Sequence, residues 1–223
     1  AGTKGRPWRR KPCQSPTAER GRASTSISQC AQASLLFYGQ VADVGKGADS
    51  SLSGFEAQDA SAAFTALDSA LQDIILSVVL QRFPGVRCIA EEATALRRRF
   101  AGNRSEYTVI LDPIDGTLHF RNGDGPYHIS VGLAHHGRMV AALVARPTED
   151  KLFTAVRDGG AWVDLPDGQR QRLQVPSQPR TRAAFISTKA RAYQALARPE
   201  LEPREHPIGA ALILTQLAEG ELK

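Results

Sequence analysis

The chain has 223 residues, 42% of them hydrophobic, which is enough for one large domain or two small ones. No apolar run is long enough to predict a membrane-spanning helix, and three cysteines (Cys13, Cys30, Cys88) without CxxC spacing argue against a disulfide framework or a thiolate metal site. The formal charge of +5 resides in residues 1–29, where Lys4, Arg6, Arg9, Arg10, Lys11, Arg20 and Arg22 face only Glu19, so that residues 30–223 carry a net charge of −1.

Residues 1–29 are poor in large apolar side chains and rich in Pro, Gly, Ser and Thr, which predicts a disordered segment ahead of one folded domain at 30–223. An Arg- and Ser-rich, acid-poor leader fits a transit peptide, placing the protein in a plastid or mitochondrion. Without that role for the leader, the expected location is the cytoplasm. A nucleic-acid-binding arm is the weaker reading, because Trp8 is the only aromatic residue among the basic ones.

In chain order, residues 30–44 predict a helix carrying Leu35, Leu36, Val41 and Val44. The Gly-, Ser- and Ala-rich stretch 45–61 predicts a mobile loop. Gly45-Lys46 is not a phosphate loop, since Gly39 lies one residue too far away and Gly47 stands where a metal-binding hydroxyl is needed. Leu67, Leu71, Ile74, Ile75, Val78, Val79 and Phe83 recur at helical spacing over 65–83, a run that Pro84-Gly85 ends. A short strand at 86–90 leads into Glu91-Glu92. The apolar strand 107–111 leads into Asp112 and Asp115. Strands at 127–134, 139–146, 151–156, 161–163 and 171–175, separated by Gly-rich turns, predict a largely antiparallel meander. A strand at 183–187 and helices at 189–197 and 207–219 follow. The alternation predicts an α+β layered sandwich.

The acids carry the chemistry. Asp112-Pro113-Ile114-Asp115-Gly116 is good turn sequence, and a turn alone would leave both carboxylates merely solvated. Yet the turn follows Val109-Ile110-Leu111, so Asp112 sits at the mouth of the core, where two close acids repel unless a proton or cation intervenes. A divalent metal ion satisfies that need. Glu91 and Glu92 alternate across a strand end, so only one faces such a site. Asp68 follows Thr65 at capping-box spacing and is open to a structural role as well as a ligand's. Gly116-Thr117 begins a turn or helix whose N–H groups can receive a phosphate oxygen, while the hydroxyl can orient a water. Metal carboxylates beside such a turn point to phosphoryl transfer to water. His119, His128 and His206 are isolated, and His135-His136 has no acid partner at recognisable spacing. Trp162 and Phe153 have the character of core residues.

These residues resemble the signature of the inositol monophosphatase family, magnesium-dependent and often lithium-sensitive phosphatases. Asp112-Pro113-Ile114-Asp115-Gly116-Thr117 with Phe120 is similar to its central motif. Thr65-Ala66-Leu67-Asp68 resembles its Thr-x-x-Asp element, and Ala90-Glu91-Glu92 its Glu-Glu element. Gly132-Leu133-Ala134, Gly159-Gly160-Ala161-Trp162 and Gly209-Ala210-Ala211-Leu212 follow in the family's order. The resemblance implies a layered αβαβα fold, Mg2+ as cofactor and a small-molecule phosphate ester as substrate. Glu91, Asp112, Asp115 and the Ile114 carbonyl would hold metal, with Asp68 supporting a weaker site. Glu91 and Thr117 would polarise the attacking water, with Asp68 in support, and Asp115, Gly116 and Thr117 would meet the phosphate. A homodimer is the family's common assembly. The family's later Trp-Asp element does not occur in this sequence. The expectation is therefore a C-terminally incomplete domain, and the alternative to an active enzyme is an impaired relative with a binding or regulatory role.

Overall fold

The structure, a computed structural model, describes residues 16–41, 65–175, 182–185, 200–204 and 209–221. Its first element, α1 (Pro16–Leu35), begins fourteen residues before the expected domain boundary at 30. Residues 16–29 are thus helical, a correction to the expected disorder. The reason lies in Ile27, Cys30, Ala31 and Ser34, whose 3-4-7 spacing forms a buried stripe too small-sided to read as apolar. Turns at 36–40 replace the end of the helix expected to run to 44. The expected loop at 45–61 and helix at 189–197 lie outside the described residues.

Helix α2 (Ala66–Arg82) buries Leu71 and Ile75 of the predicted stripe together with Leu76, whereas Ile74 and Phe83 of that stripe are exposed. Its end coincides with the Pro84-Gly85 stop signal. Strand β1 (Arg87–Ala90) runs parallel to β2 (Tyr107–Asp115), with Ile89 opposite Ile110. From β2 onward the sheet is the predicted antiparallel meander: β3 (His128–His135), β4 (Arg138–Arg146), β5 (Lys151–Val156), β6 (Gly160–Asp164) and β7 (Arg170–Leu173), adjacent in chain order. His136-Gly137 closes the β3–β4 hairpin with φ of +48° and +75°, the double left-handed conformation whose twist matches paired strands. A short parallel pair, β8 (Ala183–Phe185) and β9 (Glu202–Arg204), stands apart from the seven-stranded sheet.

Helices α1 and α2 cover one face of the sheet. There Leu71, Leu76, Val109, Leu111 and Ile129 form one core. On β2 alternate residues differ sharply: Val109 and Leu111 are 7% and 2% exposed, whereas Ile110 between them is 37% exposed. Phe153 is buried as expected. Trp162 is only half-buried, flanked by the guanidinium groups of Arg170 and Arg172.

Two further helices position the site. Helix α3 (Thr117–Asn122) continues directly from β2, and α4 (Ala210–Glu219) is the last described element. An aromatic cluster holds α3: Phe120 meets Tyr127 edge-on at 4.7 Å, and Tyr38 stacks on Tyr127 at 5.6 Å. The Ser34 hydroxyl bonds the Tyr127 phenol at 2.7 Å, tying α1 to the same cluster. Gly39 must be small here, because a Cβ on it would lie 3.1 Å from the Cα of Gly123.

Candidate active site

Strand β2 runs straight through the acid pair instead of turning at Asp112. Asp112 pairs with Ser130 and Asp115 with His128, so Pro113 and Ile114 together oppose Ile129 on β3. This is a bulge, and Pro113, which lacks an N–H, is one of the two residues inside it. The Asp112 carboxylate accepts the Ile114 N–H at 3.1 Å, which fixes the bulge and its own direction. Gly116, at φ +94°, then breaks the strand into α3.

Asp112 and Glu91 meet across the parallel β1–β2 pair and share a hydrogen bond. Burial pushes the Asp112 carboxyl up to about 8, and the charges of Glu91 and Asp115 add to the effect. Of the adjacent glutamates, Glu91 is exposed and bears electrostatically on Asp68, Asp112 and Asp115. Glu92 is buried, its backbone N–H and C=O bracketed by the Gln72 side chain at 2.8 and 2.7 Å. Opposite faces of the strand end therefore separate the two, and Glu91 is the one on the acid cluster.

Asp68 fills both roles open to it. One oxygen accepts the Thr65 N–H at 2.9 Å and the Thr65 hydroxyl at 2.6 Å, completing a capping box. The other lies 3.3 Å from the Thr117 hydroxyl, which also reaches the Ile114 carbonyl at 2.9 Å. One hydroxyl proton serves only one of these two acceptors, so both bonds form together only when Asp68 is protonated. Burial, opposed by the Thr65 bonds, pushes Asp68 up to about 6, within reach of neutral pH.

Asp115 is turned elsewhere. Its two oxygens accept the backbone N–H groups of Ala210 and Ala211, at 3.1 and 2.6 Å, capping the start of α4. Burial raises its carboxyl, and these two bonds oppose the rise. Gly209, at φ +117°, admits the contact; a Cβ there would stand 3.0 Å from the Asp115 carboxylate. Among the described residues, no three of these acids bring carboxylate oxygens within 4.8 Å of one another. They form one electrostatic cluster, with Asp115 on its α4 side.

A network that the sequence did not reveal holds α4 in place. Arg146, at the end of β4 and 2% exposed, donates to His128 (3.2 Å), to Glu149 (2.9 Å) and to the Thr215 hydroxyl, and pairs with Glu219 at 3.1 Å. Lys151 joins Glu149 and Glu219 at 2.8 and 2.9 Å. His128 is fully buried, and burial with the Arg146 charge depresses it to about 3, so it stays neutral and accepts from Arg146. His128 is also the β3 register partner of Asp115. No sequence spacing links Arg146, Thr215 and Glu219. The only legible hint was a strand ending in Arg beside the acid pair's neighbour.

The donor set fits a divalent cation. Asp68, Asp112 and Asp115 are pushed toward protonation by burial and by the neighbouring charge of Glu91, a conflict that a hard cation with oxygen ligands relieves. The family model for the inositol monophosphatase family matches residues 25–222. The chain belongs to the inositol monophosphatase family. Rat inositol monophosphatase 2 is 35% identical over 125 residues, covering 56% of this chain and 41% of its own length. The chain thus spans less than half the length of the curated relatives it matches. The Thermotoga maritima IMPase structure superposes with a TM-score of 0.71 at 18% identity, covering 92% of this chain and 74% of that one. A solved inositol monophosphatase–fructose 1,6-bisphosphatase gives 0.66 at 20% identity, covering 92% and 73%. These likenesses show the inositol monophosphatase fold, an α+β sandwich.

Proposed function

We propose that this chain hydrolyses phosphate monoesters of small polyols, sugars or nucleotides, with Mg2+ held by Glu91, Asp112, Asp115 and the Ile114 carbonyl. The observation that carries this reading is the clustering of Glu91, Asp112, Asp115 and Asp68 beside the bulge, with Asp112 raised to about 8. Such a cluster is poorly stable when ionised and empty. When bound, a divalent cation lowers the pKa of water and offsets the charge on the departing oxygen.

The residues of the chain divide the remaining work. Thr117, held between Ile114 and Asp68, orients the attacking water through its hydroxyl. Glu91 accepts the proton that the water gives up, and Asp68 backs Thr117 from behind. Gly116 and Thr117 present backbone N–H groups to the phosphate oxygens. Water attacks phosphorus directly and no phosphoenzyme forms. The solved inositol monophosphatase–fructose 1,6-bisphosphatase is named for two activities in one protein, which supports testing inositol and sugar phosphates together.

The test is release of inorganic phosphate from inositol 1-phosphate, fructose 1,6-bisphosphate and a nucleoside 3′-phosphate with Mg2+ present. Asp112→Asn and Glu91→Gln should each lower turnover by about 10²-fold or more. Turnover unchanged in Asp112→Asn would refute the assignment.

A further inference from the structure

At the opposite end of β2 the chain builds a second donor cluster that the phosphatase reading does not use. Glu106 immediately precedes β2, His135 ends β3 and His136 occupies the hairpin turn. Each offers one ligand atom, and these atoms lie within 4.8 Å of one another. Strand rise alone puts this cluster roughly 20 Å from Asp112.

The distances are informative. His135 Nε2 lies 3.5 Å from one oxygen of Glu106, and His136 Nε2 lies 3.4 Å from the other. A charge-assisted hydrogen bond would close to about 2.8 Å. Two ligands on one tetrahedral ion with bonds of roughly 2.0–2.1 Å stand about 3.4 Å apart. Each imidazole nitrogen thus stands at a ligand–ligand spacing from the Glu106 oxygen that faces it, and all three residues offer a ligand atom within 4.8 Å of the others.

The framework around the cluster is preset. The His136 backbone N–H donates to the Glu106 carbonyl at 2.9 Å, locking the turn against the strand start. The His135 ring stacks on Tyr107 at 4.4 Å, which fixes the plane of its imidazole. The two imidazoles sit 4.3 Å apart with their planes tilted, so both edges converge on the carboxylate instead of stacking flat.

We infer that Glu106, His135 and His136 form a surface site for a borderline transition-metal ion of the Zn2+ class, separate from the carboxylate cluster. Two imidazoles and one carboxylate are a donor set that selects Zn2+, Co2+ or Cu2+ over Mg2+. The exposure of Glu106 and His136 leaves room for water to complete the coordination. The bound ion bridges the start of β2 to the β3–β4 turn and so clamps three adjacent strands of the sheet.

The inference is tested by titrating Zn2+ calorimetrically into the full chain with excess Mg2+ present. Wild type, Glu106→Gln and His136→Ala are compared, and circular dichroism confirms that each is folded. Wild type should bind one more Zn2+ than either variant, or bind it about tenfold or more tightly. Zn2+ taken up at the carboxylate cluster contributes equally to all three and cancels. As a second readout, Co2+ should give wild type a visible absorption of low-coordinate character that both variants lose. Identical Zn2+ isotherms and identical Co2+ spectra across the three proteins would overturn the site.

Discussion

Asp112 and Asp115 lie three residues apart on one bulge yet meet different surroundings. Asp112 faces Glu91 in a buried, repulsive setting, so Asp112→Asn should raise the melting temperature of the metal-free protein while removing phosphatase activity. Thermal unfolding in a chelator beside a phosphate-release assay checks both halves. Asp115 instead accepts two amides of α4. Asp115→Asn should therefore lose activity and gain less stability than Asp112→Asn, since relief of the buried charge is offset where an amide replaces at most one of the two charge-assisted bonds. Denaturant unfolding distinguishes the two variants by the size of the gain. Gly209→Ala should cost about 1–3 kcal/mol through its positive φ, and it should weaken cation binding because the new methyl group displaces the Asp115 carboxylate.

Helix α4 reaches the site through its first turn and the sheet through its last two. Its anchor is Arg146, whose guanidinium joins β3, β4 and α4 in a buried polar network. Arg146→Ala would leave Glu219 with Lys151 alone and take the donor from buried His128 and Thr215, and should cost about 3 kcal/mol in denaturant unfolding. Arg146→Lys should recover little of that loss, because one ammonium cannot reproduce the forked contacts to His128, Glu149 and Thr215. Much of this architecture was legible in the sequence. The α2 stripe, the Pro84-Gly85 stop and the Gly-rich hairpin turns are local signals, and local chemistry decided those elements. Helix α1 escaped notice before residue 30 because its buried stripe consists of Ile27, Cys30, Ala31 and Ser34, small enough to pass for linker. The acids were legible because their awkward placement is itself local. The Arg146 network and the Glu106–His135–His136 cluster were not, since each depends on strand register and on helix docking.

At the scale of the whole molecule, the acid cluster makes stability depend on pH and on cations together. The folded protein holds Asp68 near 6 and Asp112 near 8, against an ordinary value of 3.8 in the unfolded chain. Between about pH 4 and 8 the folded state thus binds more protons than the unfolded state, and stability falls as pH rises through that window. Melting temperatures measured in a chelator should decline from about pH 5 to pH 8, and Mg2+ should restore them most at the alkaline end. A chelated protein that gains stability over the same window would show that these carboxyls are not held up by burial and repulsion.

The most direct test of the cation-dependent phosphate site is a calorimetric titration of inorganic phosphate into the protein, with and without Mg2+. Phosphate should bind only when Mg2+ is present, and that binding should vanish in Asp112→Asn. Binding of equal strength without Mg2+, or undiminished in Asp112→Asn, would contradict the assignment of Glu91, Asp112 and Asp115 as the seat of the chemistry.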